Sequence, residues 1–269
     1  MTALKIHGGK YYLASKIVEL MPAHKRYLEA FAGGLSVLLA KPHEGIAEYA
    51  NDLNGHIANF WAVMRSTEKF ERFVHWCNSQ PLEQRAFEAA RDYHTIFTHD
   101  DGDPWAAFQF FVRNRMSRQG LGKDYCTPTS RLRRGMNENV SAWLSAVDGL
   151  PEIHERLRRV EIWNRPAVEC LVDLDSAGMF AYVDPPYLHS TRSTTKEYGK
   201  YEMIEEEHEQ LLEVLSELKG KFMLSGYPSK LYNDFAAKFG WRTVEFDVPN
   251  NASGSKSKQR KKEVVWMNY

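Results

Sequence analysis

Short apolar runs of strand type alternate along the chain with segments whose apolar positions recur at helical spacing, the signature of an α/β protein with a largely parallel sheet. The strand candidates are "RYLEAF" ending at Phe31, "GIAEYAN" ending at Asn51, "RVEIW" ending at Trp163, "FAYV" ending at Val183, "KFMLS" ending at Ser225, "RTVEFDV" ending at Val248, and "EVVWMNY" closing the sequence. Amphipathic helices are expected over residues 34–41, 55–66, 204–219 and 229–239, the last starting at Ser229, and the Ser, Thr and Gly content from Ser190 to Gly199 reads as loop. Between Arg65 and Arg158 the rhythm breaks. That region is helix-rich and aromatic, without a convincing strand before "RVEIW", and reads as an insertion with a turn at Gly149 to Pro151.

The 269 residues, 43% hydrophobic and 26% charged, suffice for one full globular domain carrying a second, smaller one. No apolar run approaches the roughly eighteen residues of a membrane span, and "MTALKIHGGK" has no secretory core, so a cytoplasmic protein is expected. Cys77, Cys126 and Cys170 are odd in number and form no CxxC pair, which argues for reduced, structural thiols and against a disulfide framework or a zinc site; no metal is expected.

Charge changes the picture through its distribution, since the formal net charge is zero. From Arg113 to Arg134, "RNRMSRQGLGKDYCTPTSRLRR" carries seven Lys or Arg against the single acid Asp124; "KSKQRKK", Lys256 to Lys262, carries no acid, and acid gathers in "EMIEEEHE", Glu202 to Glu209. Either basic stretch alone is equally consistent with a solvated face. The polar run from Asn250 reads as a mobile loop.

Ligands of open α/β sheets bind beyond the carboxyl ends of the strands. The first such loop is "FAGGLS", Phe31 to Ser36, where Gly33 and Gly34 let the backbone approach a ligand, or simply make a turn. The second, "NDLN", places Asp52 about 20 residues beyond the glycines, a spacing suited to accepting ribose hydroxyls, although Asp52 also suits an N-cap for a helix starting near Leu53. GxGxxG and GxxxxGK[ST] are both absent, which disfavours NAD and ATP. The fourth strand ends in Asp184-Pro185-Pro186-Tyr187. Two prolines withdraw two N–H donors beside a carboxylate and an aromatic ring, an arrangement suited to a planar ligand bearing an amino group, or to a rigid turn.

In these motifs, taken in this order, the chain resembles the D12 class of N6-adenine-specific DNA methyltransferases, the Dam-like enzymes. "LKIHGGKYYLASKIVELMP" is similar to the family's N-terminal cofactor element, "YLEAFAGGLSVLL" to its glycine loop, "NDLNGHIANFW" to its acidic loop, "YVDPPY" to its catalytic loop, and "FMLSGYPSKLY" and "KKEVVWMNY" to its late strands. The resemblance implies a Rossmann-like sheet dependent on S-adenosylmethionine, formed by residues 1–65 and 159–269, with a helical target-recognition domain over 66–158. It implies Gly9, Lys10, Phe31, Gly33, Gly34, Asp52, Asn164 and Asp184 as cofactor contacts, Asp52 on the ribose, and Asp184, Pro185, Pro186 and Tyr187 as the catalytic tetrapeptide. Two departures stand out. Leu35 replaces the second glycine of FxGxG, which would tighten the methionine end of the pocket, and Ile6 stands where Dam enzymes usually carry Trp, which bears on one cofactor contact.

The implied reaction is methyl transfer to N6 of an adenine flipped out of duplex DNA, in a bacterial or phage-encoded enzyme acting as a monomer, alone or within a restriction-modification system. Asp184 and the Pro185 carbonyl would hold both amino hydrogens while Tyr187 stacks on the base. A loop carrying Arg192 and Lys196 would close over it. Arg113, Arg115, Arg118, Lys123, Arg131, Arg133 and Arg134 would contact phosphates and, in one or two cases, base edges. His208, on an acidic helix, is expected to be a surface or packing residue. RNA adenine, cytosine N4 and a non-catalytic nucleic-acid-binding role remain alternatives; Asp at the head of the tetrapeptide favours adenine.

Overall fold

The structure, a computed structural model, describes residues 2–6, 8–94, 102–192, 198–249 and 260–269. In chain order its main elements begin with α1 (Ala14–Glu19), β1 (Arg26–Glu29), α2 (Ser36–Ala40), β2 (Ala47–Asn51), α3 (Gly55–Arg65), α4 (Thr67–Ser79), α5 (Gln84–Asp92) and α6 (Pro104–Arg115). They continue with β3 (Leu132–Arg133), β4 (Met136–Asn137), α7 (Glu138–Asp148), α8 (Leu150–Leu157), β5 (Val160–Trp163), α9 (Ala167–Leu174) and β6 (Met179–Val183). The last are α10 (Glu205–Glu217), β7 (Lys221–Gly226), α11 (Lys230–Phe239), β8 (Arg242–Pro249) and β9 (Arg260–Met267). All seven expected strands form, as do the four expected helices. The chain is a mixed α/β protein with mostly parallel strands, and it divides into two compact units, the first comprising Met1–Met21 with Ala32–Asn164 and the second Pro22–Phe31 with Arg165–Tyr269.

In the first unit β2 and β5 pair in parallel, with Asn51 level with Trp163, so the residues after them, Asp52 and Asn164, leave at one edge. Helices α3, α4 and α6 bury an aromatic core in which Phe60 stacks on Phe111 and meets Trp61 and Phe73 edge-on. Such geometry suits the ring quadrupoles and adds to the apolar area removed from water. A buried ion cluster also holds this unit. Glu48 on β2 accepts from Lys41 Nζ at 2.8 Å and from both terminal nitrogens of Arg156 on α8 at 2.6 and 2.7 Å. With the Glu48 side chain fully buried, these bonds compensate its desolvation.

The helix-rich stretch carries one strand feature that the sequence pattern does not announce. Leu132–Arg133 and Met136–Asn137 pair antiparallel around Arg134 and Gly135, both at positive φ (53° and 74°), the backbone twist that a two-residue hairpin turn requires. Each strand is only two residues long, too short for alternation to show.

The second unit holds five strands in the order β1-β6-β7-β9-β8. β1, β6 and β7 run parallel, while β9 pairs antiparallel with β7 and with β8. Every residue of β6 is buried, which explains why "MFAYV" reads as a continuous apolar run. Because β9 runs against its neighbours, its first residues lie at the edge where β6 and β7 end. Helix α10 buries His208, Leu211, Leu212 and Leu215 at helical spacing, and Ser229 caps α11 by accepting from the Tyr232 N–H at 3.2 Å.

Candidate active site

In the first unit the glycine loop and the acidic loop are joined. The Gly33 N–H donates to Asp52 Oδ2 at 2.8 Å, and the Asn54 N–H donates to Oδ1 at 2.9 Å. Asp52 therefore does not cap α3; Asn54 does, accepting the His56 N–H at 3.0 Å. Asp52 instead holds the glycine loop to the entry of α3, a structural role other than the N-cap raised by the sequence. Exposed Asn164, leaving β5, donates through Nδ2 to the Asp52 carbonyl at 2.7 Å, and the Trp61 indole N–H donates to the Gly33 carbonyl at 2.9 Å. Gly33, Asp52 and Asn164 thus form one hydrogen-bonded group. Burial of its carboxyl group pushes the Asp52 pKa up to about 6, against the lowering effect of the two N–H donors.

The N-terminal element meets the same glycines. The Gly9 N–H donates to the Ile6 carbonyl at 3.1 Å, and the Ile6 side chain lies over the glycine pair, 3.5 Å from where a β-carbon on Gly33 or Gly34 would stand. The second of the two departures noted in the resemblance, Ile6 for Trp, thereby puts an aliphatic side chain over the glycine loop. Gly33 takes φ +44°, and Leu35 takes φ 51° with its side chain fully buried. The other departure, Leu35 for Gly, thus falls where the backbone is left-handed, at a cost of about 1–2 kcal/mol for a branched side chain. Lys10 is buried and donates to the Gly8 carbonyl at 2.6 Å. Phe31, in the second unit just beyond β1, is half-buried.

In the second unit the tetrapeptide follows β6 directly. Asp184 is half-buried, while Pro185, Pro186 and Tyr187 are buried. The Tyr187 hydroxyl reaches two carboxylates, Asp184 Oδ1 at 3.2 Å and Glu263 Oε1 on β9. Its ring meets Tyr227, the residue after β7, edge-on at 4.7 Å between centroids. Burial, followed by the Asp184 and Glu263 charges, holds the Tyr187 phenol well above its ordinary pKa, so it is a neutral donor. In the same unit the Tyr182 hydroxyl bonds Ser225 Oγ at 2.8 Å. Glu263 was not singled out by the sequence pattern; the available signal was an acid beginning the apolar run "EVVWM", a buried strand position where a carboxylate needs a reason.

His208 is a packing residue, fully buried with Nδ1 2.8 Å from the Tyr232 hydroxyl, and burial lowers its pKa to about 4. Arg192 pairs with Glu202 and lies over the Tyr198 ring. Lys196, expected in the same loop, lies outside the described residues, as does most of the polar run from Asn250.

The seven basic candidates in the first unit separate into two groups. Arg118, Lys123, Arg131, Arg133 and Arg134 are exposed, the last three on or beside the β3–β4 hairpin with Leu132 at 74% exposure. Arg113 and Arg115 are half-buried. Arg113 lies over the Phe110 ring, and Arg115 donates to the Ala142 carbonyl at 3.0 Å, with burial bringing its pKa down to about 10. Beside Arg115, Lys5 donates from Nζ to the Arg115 carbonyl at 2.8 Å, and burial brings its pKa to about 8. Asn114 bridges Lys5 on both sides, accepting its N–H and donating to its carbonyl, each at 2.8 Å. The basic stretch thus anchors the segment that leads into Gly9.

Among the described residues no cluster of His, Cys, Asp or Glu is arranged to hold a metal ion, and no helix is long and apolar enough to cross a membrane. All three cysteines are unpaired and buried. A family model described as D12 class N6 adenine-specific DNA methyltransferase matches residues 7–247. No curated protein gives a significant match.

Proposed function

The chain belongs to the D12 class N6 adenine-specific DNA methyltransferase family, and from that premise we propose that it transfers a methyl group from S-adenosylmethionine to N6 of an adenine flipped out of duplex DNA at a specific site. The observation carrying this reading is the hydrogen-bonded group of Gly33, Asp52 and Asn164, together with an intact Asp184-Pro185-Pro186-Tyr187 following a buried strand.

The first unit's residues fit the donor's nucleoside. Among the described residues, a β-carbon at Gly33 would meet only the Ile6 side chain within 4 Å, which fits a backbone open to close approach. The Asp52 carboxylate beside it accepts hydroxyl donors, and Asn164 offers an amide at the same edge. Gly9, Lys10 and Gly34 are the further contacts expected of this unit; Phe31 and Asp184, expected contacts too, belong to the second unit. S-adenosylmethionine supplies an electrophilic methyl group on a sulfonium.

The chain's own chemistry is to make a poor nucleophile competent. The amino lone pair of adenine is delocalised into the ring. Asp184 Oδ and the Pro185 carbonyl would accept the two amino hydrogens and favour a pyramidal nitrogen, leaving its lone pair free toward the methyl group that bound S-adenosylmethionine would supply. The carboxylate also stabilises the positive charge that develops on nitrogen and takes up the proton released. Stacking of the base on Tyr187, whose ring is buried before any base arrives, would offset part of the cost of unstacking, about a few kcal/mol. Residues 66–158 recognise the target, with Arg118, Lys123, Arg131, Arg133 and Arg134 as the exposed contacts to phosphates and base edges.

Methylation-sensitive long-read sequencing of DNA from cells expressing the protein tests this directly. N6-methyladenine at one recurrent sequence is expected. Label from S-adenosylmethionine entering only cytosine or RNA would overturn the substrate assignment.

A further inference from the structure

Inside the first unit, the loop that carries Arg118 and Lys123 is bonded to the segment that leads into the N-terminal element. Asn114, 4% exposed near the end of α6, accepts the Lys5 N–H and donates to the Lys5 carbonyl, each at 2.8 Å, and the same amide donates to the Gly120 carbonyl at 3.2 Å. Lys5 answers from its side chain, whose Nζ donates to the Arg115 carbonyl at 2.8 Å and to the Ser117 carbonyl at 3.4 Å. Buried Ser117 donates to the Asn114 carbonyl at 3.0 Å and accepts the Gly122 N–H at 2.9 Å. None of residues 118–123 is itself buried, and Gln119, Gly120 and Gly122 stand at positive φ (55°, 77° and 70°). A loop with so little buried surface has low local stability and takes its shape from such bonds. Lys5 is followed by Ile6, whose carbonyl accepts the Gly9 N–H and whose side chain lies over Gly33 and Gly34. The backbone of Lys5 and Ile6 is thus shared by the basic loop and the glycine loop.

We propose that Asn114 is a positioning residue that links the two substrates: through its bonds to Lys5 and Gly120, duplex DNA on Arg118 and Lys123 and S-adenosylmethionine on the glycine loop order the same stretch of backbone, and each binds more tightly when the other is present. This rests on the methyltransferase reading given above. Whichever ligand binds first meets the cost of ordering the shared segment, and the second binds with less of that cost. Thermodynamic linkage then requires the gain in affinity to be the same factor in both directions. Asn114 is buried beneath the loop, so its effect on either ligand passes through Lys5 and Gly120.

The test uses the full chain, S-adenosylhomocysteine, which lacks the transferable methyl group, and an unmethylated duplex carrying the site methylated in cells. Calorimetry gives the S-adenosylhomocysteine affinity with and without saturating duplex, and fluorescence anisotropy gives the duplex affinity with and without saturating S-adenosylhomocysteine, for the wild type, N114A, N114D and E48A. In the wild type each ligand is expected to tighten the other about tenfold, by the same factor in both directions. N114A, which removes all three amide bonds, should bring that factor below about twofold. N114D keeps the acceptor for the Lys5 N–H and loses both donor bonds, so it should couple about threefold even if N114A folds poorly. E48A, destabilised without loss of any of these bonds, should keep the full factor and so separates coupling from stability. A wild-type factor below about twofold, a wild-type factor in folded N114A or N114D, or an equal loss in E48A would overturn the inference alone. A wild-type chain that binds neither ligand, or that transfers no labelled methyl from S-adenosylmethionine to the duplex, would overturn the methyltransferase reading and this inference together.

Discussion

Asp52 accepts the Gly33 N–H at 2.8 Å, so the acid expected to bind ribose also fixes the glycine loop in place. The two jobs separate on titration. Ribose hydroxyls donate best to the carboxylate, and Asp52 has a pKa of about 6, so S-adenosylmethionine affinity should weaken as pH falls through 6, toward a limiting slope of about tenfold per unit. Folding responds with the opposite sign. A carboxyl whose pKa is raised by folding contributes stability that is present at low pH and lost as pH rises through about 6. Calorimetric binding at pH 7.5 and 5, beside thermal melts at both, checks the pair; D52N should flatten the pH dependence of binding and bind weakly at both values.

The basic residues should divide by burial. R131A and R133A are expected to weaken binding to duplex DNA with little change in melting, and removing each phosphate-binding charge should reduce the salt slope by about 0.9. R115A should instead lower stability, by about 1–3 kcal/mol, because its guanidinium bonds the Ala142 carbonyl from a half-buried position. Fluorescence anisotropy across a salt series and urea unfolding distinguish the two outcomes.

Much of this arrangement is legible in the sequence because it is built from patterns longer than a few residues. Seven strands announce themselves by apolar runs, and Asp184 to Tyr187 by their composition. Three features escape for physical reasons. The β3–β4 hairpin is too short for alternation. The cap at Asn54 in place of Asp52 depends on where the glycine loop lies, a long-range matter. The Glu263–Tyr187 bond joins residues far apart in the chain through an antiparallel strand whose direction the sequence does not state. The expected Tyr187 stacking surface is also altered by packing, since the residue is only 8% exposed before any base arrives.

Glycine at 120 should be indispensable to the first unit. It has φ +77°, and a β-carbon there would stand 2.2 Å from the Lys5 carbonyl oxygen, a backbone atom that cannot move aside cheaply. G120A is expected to cost more than about 1–3 kcal/mol and to weaken S-adenosylmethionine binding, because Lys5 leads into the Gly9 element. N114A, which removes both bonds to Lys5, should produce the same loss in milder form.

The Glu48 cluster predicts a purely structural phenotype. E48A leaves Lys41 and Arg156 buried without their shared carboxylate and should cost about 3–5 kcal/mol in urea unfolding. At temperatures where the variant remains folded, its methyl-transfer rate should match that of the wild type.

The central claim is that Asp184 acts on the adenine amino group and not on the cofactor's grip. Single-turnover transfer of labelled methyl to duplex DNA by D184A and D184N, with S-adenosylmethionine affinity measured on the same samples, tests it most directly. The expected result is a fall in the transfer rate of at least about 100-fold in both variants, with cofactor affinity within about threefold of wild type. Transfer at the wild-type rate, or a loss explained wholly by failure to bind S-adenosylmethionine, would contradict it.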